Sequence, residues 1–181
     1  MTEQLNILLA QPLQAKVDTS TTLQELTKVI GKLLQAHRCC LFLRDPVTRL
    51  SQMTHEWVTN PEQTLRRDNS EWTVESPTLE QDDPMFAEAL ARPEALYIND
   101  IRTADPALVN GAFEEQHFGH RALVHAPLYH EGKMYGILEP CVFGESRAWS
   151  AAHRAVIERV QTPLAALAAE FVAANCPPDA R

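Results

Sequence analysis

The stretch FGHRALVHAPLYHEGKMYG, residues 118–136, decides the fold. Residues 121–128 form a mostly apolar run that ends after Pro127. His130, Glu131 and Gly132 make a short polar connector, and residues 133–141 return as a second run. A glycine in a short polar connector between two apolar runs predicts a β-hairpin. Side chains alternate along a strand, so each run divides into two sets. Leu123 and His125 share one face of the first strand, and Ala122, Val124 and Ala126 share the other. On the return strand Tyr135, Ile137, Glu139 and Cys141 fall on one face.

Upstream, Leu23, Leu26, Ile30, Leu33 and Leu34 recur at helical spacing, with Thr19, Ser20 and Thr21 as candidate caps. Residues 39–43 (CCLFL) read as a buried strand. Residues 50–58 read as a more polar one, with Met53, His55 and Trp57 on one alternating face. Residues 60–83 lack strong periodicity and read as a long functional loop, anchored by Trp72 and Val74. Asp83-Pro84 and Asp105-Pro106 each place an acid before a proline, a helix-start signal. Residues 96–98 read as a short strand between these helices. Ser150 caps a last helix carrying Val156, Ile157, Val160, Leu164, Leu167, Phe171 and Val172; Pro163 within it predicts a kink or break.

Paired strands flanked by a first and a last helix do not fit a doubly wound parallel sheet. They predict an α+β fold: a central antiparallel sheet with helices packed on one face and a lid of loops and short helices on the other. Residues 19–173 form the domain, residues 1–18 an N-terminal extension, and residues 174–181 a disordered tail. The extension carries Leu5, Ile7, Leu8, Leu9 and Leu13, which suit a short helix docked on the domain or on a second subunit.

With 181 residues, 45% of them hydrophobic, the chain builds an ordinary core. A net charge of −8 and scattered basic residues argue against nucleic acid as a partner. No apolar run approaches the roughly 20 residues of a bilayer span, and no secretory leader is evident, so a cytoplasmic location without membrane attachment is expected. Cys39, Cys40, Cys141 and Cys176 show no CxxC spacing, which argues against a zinc site or disulfide framework.

The hairpin pattern (Gly119, Arg121, Ala122, Leu123, Pro127 and Leu128, then Gly132, Lys133, Met134, Gly136, Ile137 and Leu138) resembles the central hairpin of GAF domains, which are small sensory modules. Asn99, Asp100, Ile101, Asp105 and Pro106, and the Arg147, Trp149 and Ser150 of RAWS, extend the resemblance to roughly residues 20–173. It implies a ligand pocket between sheet and lid, faced by the set that holds Leu123 and His125. His125, Glu139 and Cys141 then become convergent polar groups in an apolar cleft, joined by His55 and Trp57 from the second strand.

The hairpin is also similar to phytochrome and cyanobacterial photoreceptor GAF domains. At the places where that resemblance puts a bilin-attaching Cys-His pair, this chain has Asn110 and Gly111. A thioether needs a thiol, so a covalent bilin is not expected; His117 and His120 remain able to touch a noncovalent tetrapyrrole, although two exposed histidines are the plainer reading. The cyclic-nucleotide signature of the family is not recognisable. No HExxH, Gly-rich phosphate loop or GxSxG elbow is present, so catalysis is not expected. The resemblance implies a regulatory module that binds a small molecule or a signalling protein and relays the signal through its terminal helices as a homodimer. Two alternatives stay open: an interaction module whose pocket is filled by Leu123, Phe86 and Trp57, and a thiol redox enzyme using Cys141.

Overall fold

The computed structural model describes residues 2–14, 17–64 and 71–178, with the backbone alone for residues 2–6. Helices α1 (Thr2–Gln14) and α2 (Thr19–Leu33) lead into strands β1 (Arg38–Arg44) and β2 (Leu50–Val58). A short strand β3 (Thr73–Val74) follows, then α3 (Leu79–Asp82), α4 (Pro84–Ala91), β4 (Leu96–Ile98) and α5 (Gly111–His117). The hairpin β5 (Ala122–His130) and β6 (Lys133–Val142) precedes the last helix, α6 (Ala151–Asn175). The strands form one sheet in the order β3-β2-β1-β6-β5-β4, with every pairing antiparallel. The expected α+β architecture is therefore the observed one.

The two inner strand pairs explain why the hairpin is so apolar. Residues 122–128 of β5 are all buried, because helices cover one face of the sheet and the lid covers the other. Ala122, Val124, Ala126 and Leu128 of β5 join Cys39, Leu41 and Leu43 of β1 and Leu138 and Val142 of β6 on the helix side. They meet Leu23, Leu26 and Ile30 of α2 and Ile157, Leu164 and Ala168 of α6 in one continuous core. The turn is two residues long. Glu131 (φ 49°) and Gly132 (φ 75°) are both left-handed, as the right-handed twist of the paired strands requires.

Two irregularities change which residues share a face. Pro127 pairs with Ile137, but Tyr129 pairs with Met134, so β6 holds an extra residue there. The bulge turns Tyr135 to the helix-side core, away from the face of Ile137, and leaves Met134 with Phe86, Ala89 and Ile137 under the lid. Gly136 makes this possible. Its φ is 155°, and a Cβ there would lie 2.3 Å from the Phe42 carbonyl oxygen. In β2, Leu41 pairs with His55 but Phe42 pairs with Met53, which leaves Thr54 as the extra residue. That bulge separates Met53 from His55 and Trp57.

Helix starts also shift from the sequence reading. Asp18, not the three hydroxyl residues after it, caps α2 by accepting from the Thr21 N–H at 2.9 Å. Asp105 makes a turn, its carboxylate accepting from the Ala107 N–H at 2.9 Å, and Asn110 then caps α5. Ser150 caps α6 as expected, in a reciprocal box with His153. Helix α6 runs through Pro163 without a break and reaches Asn175, and Cys176 packs against the core. Val74 is 67% exposed and anchors nothing; its partner Trp72 does pack on the core. Residues 179–181 lie outside the described residues.

Candidate functional site

Between the sheet and the lid lies a hollow of about 160 Å³. The sheet contributes Phe42 and Arg44 from β1, Met53 from β2, His125 from β5, and Ile137 and Glu139 from β6. The lid contributes Leu79, Asp83, Phe86, Phe113 and Phe118. Four phenylalanines thus wall it, with Phe42 and Phe118 edge to face at 6.0 Å between centroids.

The lid is held down by specific polar contacts. Arg44 donates to both carboxylate oxygens of Glu75, at 2.6 and 2.9 Å, and Arg49 reaches the same carboxylate at 3.2 Å. A bidentate buried pair fixes the 71–83 segment to β1 with defined geometry. Asp83 accepts from the Phe86 N–H at 3.0 Å and so starts α4 with its carboxyl at the hollow's wall. Tyr129 on β5 donates to the carbonyls at the end of α4, Ala89 and Leu90, both at 2.9 Å.

Behind the hollow runs a chain of buried ionisable groups. His125 Nδ1 lies 3.4 Å from Glu139 Oε2. Glu139 Oε1 lies 3.6 Å from His120 Nδ1, and His120 Nε2 lies 2.7 Å from Glu114 Oε2. All four residues are at most 3% exposed. Burial opposes charge on both histidines, but the groups around them prevail. The Cys141 sulfur, Glu114 and Glu139 raise His120 to about 10. Glu139 in turn raises His125. Burial pushes Glu139 up, yet His125, His120 and Arg38 together hold it below its ordinary value. Burial dominates at Glu114 and Asp83, which are both raised. Four buried polar atoms here lack a hydrogen-bond partner: His125 Nε2, Glu139 Oε1, His120 Nδ1 and Arg38 Nε. An orphaned buried polar atom costs about 1–3 kcal/mol, so four together mark a place kept for something other than stability.

A second hollow of about 570 Å³ lies beyond Phe118, lined by Arg38, Asn60, Gln63, His117 and Phe143. Phe118 lines both hollows. Its ring stacks on His120 at 5.5 Å. Arg38 is 1% exposed, sits over the Phe143 ring at 4.9 Å, and reaches the Gln63 and Phe118 carbonyls only at 3.4 and 3.5 Å.

Of the residues singled out from the sequence, His125 and Glu139 meet at the hollow. Leu123 and Cys141 face the lid but pack with Met85, Ile98, Ile101 and Val109 in an apolar cluster beside it. His55 and Trp57 are elsewhere. The β2 bulge turns both to the helix face, where His55 Nε2 lies 3.1 Å from Ser20 Oγ and its ring meets Phe171 edge-on. Trp57 packs so closely on α2 that a Cβ at Gly31 would lie 2.3 Å from its ring. His120 is buried at 2% exposure, not an exposed histidine at an entrance. Phe86, expected at the pocket, does line the hollow, whereas Glu114, Asp83, Arg44, Phe42, Phe113 and Phe118 escape sequence reasoning, because they come from separate elements with no shared spacing. Among those that escaped, a signal existed only for Asp83, through its proline.

The residues behind the resemblance form a clasp at the other end of the hairpin. Arg121 pairs with Asp100 through two bonds of 2.5 and 2.6 Å, which hold Asp100 down to about 2. Trp149 donates to the Ile98 carbonyl at 3.1 Å, and Arg147 to the Leu34 and Gln35 carbonyls at 3.1 and 2.6 Å. Asn110 donates to the Asp82 carbonyl at 2.9 Å, joining α5 to the lid. Among the described residues, no group of three His, Cys, Asp or Glu side chains is arranged to hold a metal ion, and no helix is long and apolar enough to cross a membrane.

Comparison with known proteins extends the structural argument. The GAF domain from a Coxiella burnetii phosphoenolpyruvate-protein phosphotransferase superposes with a TM-score of 0.70 at 18% identity, covering 97% of this chain and 96% of that one. Its Acinetobacter counterpart gives 0.69 at 12% identity, covering 96% and 95%. The phycocyanobilin-bound GAF domain of a cyanobacterial phytochrome gives 0.70 at 15% identity, covering 98% of each chain. A comparison with curated protein sequences gives no significant match. The sequence profile of the GAF domain matches residues 18–168, from the cap of α2 to the middle of α6. With that match and this architecture, the chain belongs to the GAF domain family.

Proposed function

We propose that this chain is a sensory, regulatory GAF domain that binds a small molecule in the hollow between sheet and lid, with His125 and Glu139 as its polar anchor. The carrying observation is a hollow walled by four phenylalanines at which the buried pair His125 and Glu139 each keep a polar atom without a hydrogen bond. Binding reshapes the lid, and the change reaches the terminal helices through the sheet, since α6 packs on β5 and α2 on β2. Helix α1 carries Ile7, Leu8 and Leu13 exposed at 54%, 38% and 41%, which supports a second copy of the chain as the partner of this surface. The setting is the cytoplasm.

Related domains of this fold hold bilins, and a noncovalent tetrapyrrole is the second ligand reading. The site matching the usual attachment pair offers no thiol, because Asn110 caps α5 and Gly111 begins it. The open hollow favours a ligand over the pure interaction module with a filled pocket. Cys141 is fully buried beneath the lid and out of reach of a substrate in solution, which weighs against a thiol-based enzyme.

Native mass spectrometry after mild purification, with an absorption spectrum, tests the reading. A retained small molecule, lost on substitution of His125, is the expected result. A chain of bare mass that takes up no ligand from an extract rejects it. Light scattering of the full chain and of a form lacking the first 18 residues tests the homodimer; a monomer in both cases removes it.

A further inference from the structure

We infer that the ligand is an uncharged, single-ring aromatic whose polar edge accepts a hydrogen bond, as a phenolic hydroxyl does. The inference rests on the reading of the hollow as a ligand site. It goes further, to the chemistry the walls select.

Size comes first. Ligand pockets for drug-sized molecules span roughly 300–1,000 Å³, whereas a cavity of about 150 Å³ lined by apolar side chains takes up benzene. A hollow of about 160 Å³ is matched to one ring. A tetrapyrrole or a nucleotide would need Phe118 to leave its place between the two hollows. Shape comes second. Phe42, Phe86, Phe113 and Phe118 offer ring faces and edges, which favour another ring over an aliphatic chain of equal size.

Charge comes third. The cation at the wall, Arg44, is spent on both oxygens of Glu75, and His125 is paired with Glu139. An anion entering here finds no unpaired cation and faces the Asp83 carboxyl. A cation faces the His125 N–H and the Arg44 guanidinium. Glu139 is engaged on both oxygens, with Oε2 3.4 Å from His125 Nδ1 and Oε1 3.6 Å from His120 Nδ1, so what remains unmatched at the wall is one nitrogen, His125 Nε2. With Nδ1 donating to Glu139, the free Nε2–H needs an acceptor. A phenolic hydroxyl oxygen supplies that acceptor and brings no net charge.

The experiment titrates the full chain with phenol, benzene and benzoate by calorimetry, and follows the labelled histidine rings by NMR. Saturable binding of phenol is expected, with benzene at least fivefold weaker and benzoate at least tenfold weaker. The His125 ring resonances should move with phenol and barely with benzene. Met53→Trp, which fills the hollow from β2, should weaken phenol at least tenfold while thermal unfolding stays cooperative. Benzene or benzoate binding as well as phenol overturns the chemical class and leaves the ligand site standing. So does silence with phenol when biliverdin or a cyclic nucleotide binds and moves the His125 resonances. Silence with every one of these probes overturns the ligand site itself, and the inference with it.

Discussion

The helix face and the lid face of this sheet are made from the same strands yet obey opposite rules. On the helix face, Leu41, Val124, Ala126, Leu138 and their helical partners form one continuous apolar core. A strand-borne histidine on this face, His55, is kept uncharged: burial lowers it to about 4. On the lid face the apolar residues divide into two small clusters, and Glu114, His120, Glu139 and His125 lie between them as a buried ionic chain. Buried ion pairs are weak contributors to stability, and four polar atoms on this side have no partner. Residues β5 alternates by a single position therefore serve different ends. Val124 lies in the continuous core, and His125 lines the hollow.

The sharpest way to break this contrast is to remove Glu139. Glu139→Leu leaves His120 and His125 with a buried charge that Glu114 alone cannot balance, and should cost about 3–5 kcal/mol in urea unfolding. The double variant Glu139→Leu/His125→Leu removes a whole pair and keeps the 2.7 Å His120–Glu114 contact, and should return to within about 2 kcal/mol of the parent. On the helix face Leu138→Ala should cost about 2–5 kcal/mol, and no second truncation should restore it. Restoration on both faces, or on neither, would erase the distinction.

The pH dependence separates the faces next. An unfolded histidine titrates near 6.5. His55 is depressed in the fold, so the unfolded chain takes up its proton first, and stability falls as pH drops from about 6.5 towards 4. His120 is raised, so its contribution is full below about 6.5 and is lost as pH climbs towards 10. Urea midpoints against pH should peak near 6.5. His55→Gln should flatten the acid limb and His120→Gln the alkaline limb; a swap of those effects would reverse the assignment.

The smallest effect concerns the lid's attachment. Tyr129→Phe removes one hydroxyl shared by the Ala89 and Leu90 carbonyls, and should cost about 1 kcal/mol. Hydrogen exchange should speed up in α4 and stay unchanged in α6. Faster exchange in both helices would mean that the two layers open as one.

How much of this was legible in the chain depends on how far apart the cooperating residues lie. The hairpin, its turn at Gly132, the Ser150 cap and the apolar stripes of α2 and α6 all rest on near neighbours, and periodicity displays them. His125 and Glu139 were placed on one face correctly, since regular alternation holds around both. Tyr135, His55 and Trp57 fall on the other face because one extra residue in a strand reverses every later side chain; Gly136 hints at the insertion in β6, and nothing in the composition of β2 announces its own.

By itself the sequence determined the order of the elements, the antiparallel hairpin at their centre and the family, because local hydrogen bonding and alternate burial are written residue by residue. Only the tertiary structure decided the site. Two bulges chose which face each side chain serves, and long-range packing brought His120, with Glu114 and Phe118 against it, to Glu139 of β6. Burial then turned ordinary side chains into a coupled ionic chain beside a ring-sized hollow, since charge interacts strongly only where water has been excluded.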